Sequence, residues 1–277
     1  RLHAAAEIPP RDRPDQAGIL HDQLLPSLTV AALGAEDTLV GRGEYCDYPE
    51  SVLEVPAVQS GADTNLEQII ALEPQVVVMA KMAQTEEQVA ALEKAGIRVV
   101  VSDAQDIEGV YTAIRLIGAL VGRNDEAEAM VADMQSAFAD IAAKSENTGK
   151  TVYFEVSPLQ WGLWTAGKGT FMDELATMCG LTNAFADVEG WAEISEEQVL
   201  ERDPDYIVTI SMYYGEGPTP VEEIKSRAGW DALKAVQNDA IFNADSNEVS
   251  RPGPRLKDAA EALYTFVTGE EALTPAA

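Results

Sequence analysis

The sequence predicts an α/β protein: two Rossmann-like lobes with largely parallel sheets, joined by one long rigid α-helix. Three observations predict it. From about Leu28 onward, short apolar runs rich in β-branched residues alternate with helical periods, the pattern of parallel α/β units. The segment Asp125–Lys144 interrupts that alternation with neither Gly nor Pro. A helix–proline–strand signature occurs twice, 130 residues apart. A length of 277 residues suits two domains of ordinary size. The expected boundaries are 1–124 for the N-terminal lobe, 125–146 for the connecting helix and 147–277 for the C-terminal lobe.

The elements follow in chain order. Gln75–Met79 is short, β-branched and preceded by Pro74, so it reads as a buried strand. Thr85–Ala95 reads as a helix stopped by Gly96, and Ile97–Val101 as the next strand. Ile107–Val121 is a helix that Gly122 ends. Asp125–Lys144 places Met130, Val131, Met134, Phe138 and Ile141 on one helical face. Its 20 residues would span roughly 30 Å, about the width of a small domain. The second half then restarts the same grammar, with strand Thr151–Val156, helix Thr170–Met178 and strand Tyr206–Ile210. A weaker strand at Ala240–Asn243 and a closing helix at Leu256–Val267 complete it. In Gln16–Pro26 no strand is identifiable.

The repeat aligns Asn65–Val78 with Ser195–Val208. Asn65 and Ser195 are N-cap residues able to accept an orphan N–H of the first turn. Two positions on, Glu67 and Glu197 sit where the positive helix end favours a carboxylate. Each copy continues through a short helix to a proline, Pro74 or Pro204, and a strand. Two related lobes enclose a cleft, the usual place for a small-molecule site.

Composition excludes several function classes. With 19 Lys+Arg against 47 Asp+Glu, the formal charge is −28 and no basic cluster exists, which excludes nucleic acid as a partner. No apolar run approaches the roughly 20 residues needed to span a bilayer. Only two histidines occur, His3 and His21, so Ser-His or Cys-His catalysis and histidine-rich metal sites lack material. No catalytic residue and no metal ligand set is identified. Gly162–Thr170 nearly spells a phosphate loop, but Gly169 stands where Ser or Thr must follow the lysine, so it reads as a glycine turn opening a helix. Asp203-Pro204-Asp205 is better explained as the repeat's helix–strand connection than as a metal-binding acid pair. Cys46 and Cys179 read as small buried hydrophobes.

Aromatic residues make up only 6% of the chain, yet they gather in loops. Tyr45 and Tyr48 flank Cys46 and Asp47. Trp161 and Trp164 follow the strand Thr151–Val156, Trp191 precedes the capped helix at Ser195, and Tyr213 and Tyr214 follow the strand Tyr206–Ile210. Ligands of α/β sheets bind beyond the carboxyl ends of strands, and flat rings suit a large, partly apolar ligand. The alternative is that each ring anchors its own loop. Arg251-Pro252-Gly253-Pro254-Arg255 is rigid and doubly cationic, suited either to an acidic ligand group or to internal salt bridges.

From about Leu33 to Val267 these features together resemble the periplasmic binding proteins of ABC importers for cobalamin, haem and ferric siderophores. The stretches that carry the resemblance include Tyr45-Cys46-Asp47-Tyr48-Pro49, Asn65-Leu66-Glu67, Thr165–Phe171, Gly190-Trp191 and Arg251–Arg255. The resemblance implies no enzymatic activity. It implies an extracytoplasmic protein, periplasmic or lipid-anchored at the outer face of the membrane, that captures a metal chelate between its lobes and hands it to an ABC permease. It makes Glu67 and Glu197 the permease-docking positions, and a monomer is expected. Among the family's ligands the aromatic-Cys-Asp-Tyr-Pro stretch looks most like that of cobalamin binders, with Tyr48, Trp164 and Trp191 facing the corrinoid. Gly61 and Ala80 depart from that pattern, standing where a cobalamin binder can carry Trp. Haem or a ferric siderophore is the alternative, with Tyr48, Tyr213 or Tyr214 toward iron, or Arg251 and Arg255 toward propionates. A more distant alternative is a two-lobed transferase using a nucleotide-linked sugar.

Overall fold

A computed structural model describes residues 19–21, 24–60, 64–80, 85–213, 215–249 and 251–270. These form two compact α/β units. One comprises residues up to Ala104 together with Glu108–Val131, and the other Gln105–Ile107 together with Ala132 onward. Tyr214, His3 and Gly61 lie outside the described residues.

In the first unit, strands β1 (Ile19–His21), β2 (Leu39–Gly43), β3 (Ala57–Val58), β4 (Val76–Ala80) and β5 (Arg98–Ser102) form one sheet in the order β3-β2-β1-β4-β5. Every pairing in it is parallel. Helices α1 (Leu24–Ala32), α2 (Leu66–Ala71) and α3 (Glu86–Lys94) connect the strands, and α4 (Ile107–Val121) follows β5. Parallel sheets need both faces covered, and β4 shows how the sequence does it. Val77 and Met79 pack with Ile69, Leu92 and Ile97, whereas Val76 and Val78 pack with Val100 and the α4 residues Leu116, Leu120 and Val121. Continuous Val-rich runs are what a strand buried on both sides requires.

β1 lies within Gln16–Pro26, where the sequence alone does not decide whether a strand forms. It holds only three residues, too few for any periodicity, yet it is the middle strand, paired with β2 on one side and β4 on the other. Its place makes the space between β1 and β4 the switch point of the strand order, where α/β sheets bind ligands beyond their carboxyl ends.

Helix α5 (Asn124–Lys144) starts one residue before the predicted segment. The compact units divide within this helix, after Val131, rather than at its ends. Residues 105–107 group with the second unit because the Phe171 backbone N–H donates to the Gln105 carbonyl at 2.8 Å and the Ile107 N–H to Glu174 Oε2 at 2.7 Å.

The second unit contains β6 (Thr151–Ser157), β7 (Trp164–Ala166), β8 (Thr182–Asn183), β9 (Trp191–Glu193), β10 (Tyr206–Thr209) and β11 (Ile241–Asn243). Its helices are α6 (Phe171–Met178), α7 (Glu196–Arg202), α8 (Pro220–Ser226), α9 (Lys234–Gln237), α10 (Ser246–Val249) and α11 (Leu256–Thr268). The sheet order is β11-β10-β6-β7-β9, with β8 beside the amino end of β6. β11, β10, β6 and β8 are parallel, while β7 runs antiparallel to both β6 and β9. Tyr153, Phe185, Val199, Ile207, Trp230 and Leu233 share the core on one face of this sheet. Both cysteines are buried, and neither forms a disulfide. No helix among the described residues is long and apolar enough to cross a membrane.

Candidate functional site

In the first unit the chain leaves β2 at Gly43 and exposes Tyr45 (69%) and Tyr48 (38%) around a fully buried Cys46. The small apolar thiol pins the loop between two outward rings, and the Cys46 N–H donates to the Gly43 carbonyl at 3.0 Å. This loop leaves the carboxyl end of a parallel strand, where the fold rule places a ligand. Arg42, which the sequence reading passed over, lies beneath it. Its signal was a lone cation next to a glycine in an acid-rich stretch.

The second unit gathers its rings on the corresponding edge. Across the carboxyl end of its sheet, β10 leads into Met212 and Tyr213, β6 into a short 3-10 turn ending at Trp161, and β7 opens with Trp164 opposite Ser157. Trp161 is 76% exposed, and Trp164, Met212 and Tyr213 are also open to solvent. Met212 carried no signal in the sequence, where it stands just past the expected strand Tyr206–Ile210. Two residues assigned to loops stand on strands instead: Trp164 begins β7 and Trp191 begins β9. The antiparallel pairing sets Trp191 opposite Ala166 and Trp164 opposite Glu193, so Trp191 lies further down the sheet. It is also engaged within its own unit. Its Nε1 donates to Gln105 Oε1 at 2.9 Å, and its ring meets that of Phe171 at 5.4 Å. Gln105 was missed because it lies 86 residues away in sequence. The Tyr213 hydroxyl donates to the Gly217 carbonyl at 3.2 Å.

The glycine turn before α6 is structural, as its sequence indicated. Thr170 caps α6, accepting the Asp173 N–H and donating its hydroxyl to the Gly167 carbonyl at 2.8 Å. A Cβ on Gly167 would meet the Val188 carbonyl oxygen at 2.1 Å, so only glycine lets the two chains pass. Asp203 and Asp205 are likewise committed to the fold, accepting the N–H groups of Lys234 and Thr151 at 2.8 and 2.9 Å.

The arginines of 251–255 divide. Arg255 is surrounded by carboxylates, bonding Glu248 and lying 3.6 Å from Asp258, so it makes internal ion pairs. Burial of Glu248 and its acidic neighbours Asp245 and Asp258 push its carboxyl up, and Arg255 opposes them. Arg251 is 6% exposed, which leaves little of it for a ligand.

Glu67 and Glu197 are both exposed at the second residue of capped helices. Asn65 accepts the Gln68 N–H at 3.1 Å, and Ser195 forms a full capping box with Gln198. The Glu197 carboxyl is held below its usual range by its own backbone N–H and by the Ser195 hydroxyl. Each is an anionic point on a rigid turn, suited to a guanidinium on a partner surface.

Two cavities of the second unit, about 460 and 660 Å³, lie away from the aromatic edge. Lys150, Tyr206 and Phe266 line the smaller, and Asn147, Asp173 and Asn183 line the larger. The aromatic edge is an open face.

Residues 24–248 match the family described as periplasmic binding protein. The chain belongs to that family. This periplasmic binding protein is 34% identical over 249 residues to an uncharacterized ABC transporter substrate-binding lipoprotein of Bacillus subtilis, covering 87% of this chain and 77% of the relative. It is 32% identical over 246 residues to a vitamin B12-binding protein of Salmonella typhi, covering 87% and 86%. A crystal structure of an ABC-type Fe3+-hydroxamate transport system from Saccharomonospora viridis matches with a TM-score of 0.77 at 26% identity, over 92% of this chain and 95% of that one. The protein is accordingly an extracytoplasmic substrate-binding protein and not an enzyme, which removes the transferase alternative.

Proposed function

We propose that this periplasmic binding protein captures a cobalamin-like corrinoid and delivers it to an ABC permease. The observation that carries the reading is the exposed aromatic edge of the second unit, Trp161, Trp164 and Tyr213 beyond the carboxyl ends of β6 and β10. Large flat rings open to solvent are costly unless they serve contact, and a corrinoid offers a broad, partly apolar face to cover them. In the first unit, Tyr48 is likewise an exposed ring, on the loop that leaves the carboxyl end of β2. The likeness to vitamin B12-binding relatives supports the same ligand class. Glu67 and Glu197 are the docking carboxylates, and the chain acts as a monomer.

A ferric siderophore or haem is the second reading, favoured by the likeness to the Fe3+-hydroxamate transport structure. The Tyr213 hydroxyl already donates to Gly217, so ligating iron would cost that bond. That cost supports the corrinoid as the first reading.

The test is titration of the purified protein with cyanocobalamin, haemin and a ferric hydroxamate siderophore, followed by absorbance and calorimetry. The expected result is saturable one-to-one binding of cyanocobalamin, weakened on the order of tenfold by Trp164→Ala or Tyr48→Ala. Binding of haemin or the siderophore alone selects the second reading. Binding of none of the three refutes the chelate assignment.

A further inference from the structure

Arg42 sits in the first unit at the mouth of the loop that carries Tyr48. Its backbone N–H donates to the Pro56 carbonyl at 3.0 Å, and the residue pairs with Ala57 across β2 and β3. It therefore stands at both stems of the loop. Its half-buried side chain reaches back into the loop. Nη1 donates to the Cys46 carbonyl at 3.0 Å and Nε to the Val55 carbonyl at 3.2 Å. Longer bonds at 3.3 and 3.4 Å run from Nη1 to the Gly43 and Glu44 carbonyls.

The choice of partners is informative. Arg42 stands at the base of an acid-rich loop that holds Glu44, Asp47, Glu50 and Glu54. Its donors go to main-chain carbonyls on the outgoing and returning legs. Bonds from a charged donor are worth more than neutral ones. A planar fork can hold two legs at once, whereas a lysine ammonium is a point donor. Cys46, gripped through its carbonyl and buried through its thiol, lies two residues before Tyr48.

We propose that Arg42 is the positioning residue for Tyr48: its guanidinium ties Cys46 to Val55 and so presets the loop that offers the ring to ligand. The inference rests on the reading of Tyr48 as a ligand contact. Ordering a loop before binding removes that entropy from the cost of association, so the effect belongs in affinity.

The experiment is a double-mutant cycle on the dissociation constant for cyanocobalamin, using Arg42→Gln, Arg42→Lys and Tyr48→Ala. Haemin or the ferric hydroxamate replaces cyanocobalamin if it is the probe the wild type binds. Both Arg42 variants should weaken binding on the order of tenfold, since charge without the fork does not suffice. In the Tyr48→Ala background, Arg42→Gln should cost no more than about a further twofold. Equal loss in both backgrounds, full retention of affinity by Arg42→Lys, or unaltered binding by Tyr48→Ala would each overturn the proposal. Hydrogen exchange on the unliganded protein supplies a second reading. Arg42→Gln should speed exchange of the Cys46, Val52 and Val55 N–H groups while leaving β4 and β5 protected. Unchanged exchange overturns the proposal whatever the titration gives, and a wild type that binds none of the three probes separately refutes the ligand reading.

Discussion

At the scale of single residues, the second unit carries an ionic group in its core. Glu155 is 1% exposed and receives both terminal nitrogens of Arg227, at 2.6 and 3.0 Å. Arg227 also bonds Glu223 and lies over the Trp230 ring, 4.4 Å from its centroid. The Trp230 Nε1 donates to Glu196 Oε2 at 2.8 Å, on the first turn of α7 beside Glu197. Burial pushes the Glu155 carboxyl up, while Arg227 pulls against it. Burial works against the Arg227 charge as well, but its bonds to Glu155 and Glu223 prevail and raise it. Replacing one partner of a buried pair leaves the other uncompensated, at about 3–5 kcal/mol. Arg227→Met should therefore lower unfolding stability by that order at pH 7, measured by denaturant titration. The pH dependence has a definite sign. A carboxyl whose folded value lies above its unfolded value favours the folded state at low pH, and that advantage is lost as pH rises through the folded value. Without Arg227 the Glu155 value rises further, so the deficit of the variant should shrink as pH falls toward about 5. A deficit that is constant or widens on acidification would show that Glu155 is not the group left unpaired.

At the scale of elements, the two copies of the repeat agree in backbone as well as in sequence. Glu73 and Asp203, each just before its proline, both adopt the left-handed conformation, with φ of 49° and 43°. Non-glycine residues rarely do so, and its recurrence shows that both units build the helix–proline–strand connection in the same way. This repeat was legible because caps, first-turn acids and prolines act within a few residues of themselves. So were β4, α4 and α5, whose apolar periods are long. What the sequence did not disclose depends on distant partners. β1 is a strand only because β2 and β4 flank it, and the β7–β9 pair that carries Trp164 and Trp191 holds three residues a side. Trp191 was expected to face the ligand on the same footing as Trp164, and its bond to Gln105 could not be foreseen from local pattern. The first-turn acids give the prediction at this scale. Glu67→Arg with Glu197→Arg puts cations at two positive helix ends, a small cost at exposed positions, so the fold should persist. Cyanocobalamin binding should be unchanged, and uptake by the reconstituted importer should be abolished. Uptake at the wild-type rate would remove these carboxylates from docking.

For the whole molecule, the dominant physical fact is charge. The 19 basic residues can neutralise at most 19 of the 47 acidic charges, leaving a net charge of −28 however the pairs are arranged. Arg255 illustrates the scarcity, being shared among Glu248, Asp245 and Asp258. Two opposing responses to salt follow. Screening weakens exposed pairs such as Arg115–Glu128 and Arg202–Asp187, whose solvent exposure leaves them little to contribute. It also relieves repulsion among the unpaired carboxylates, which acts over the whole surface and opposes the compact state. The second effect should win, because unpaired acids outnumber pairs and the Debye length shrinks from about 10 Å at 0.1 M to about 3 Å at 1 M. The melting temperature should rise by about 5 °C or more between low salt and 1 M sodium chloride, with most of the rise at the low end where screening changes fastest. Sucrose of matched osmolality separates screening from surface exclusion, and should give a smaller, linear rise. A melting temperature that is flat or falls with sodium chloride would mean that the acidic surface is already neutralised within the fold, and that the ion pairs contribute more to stability than their exposure allows.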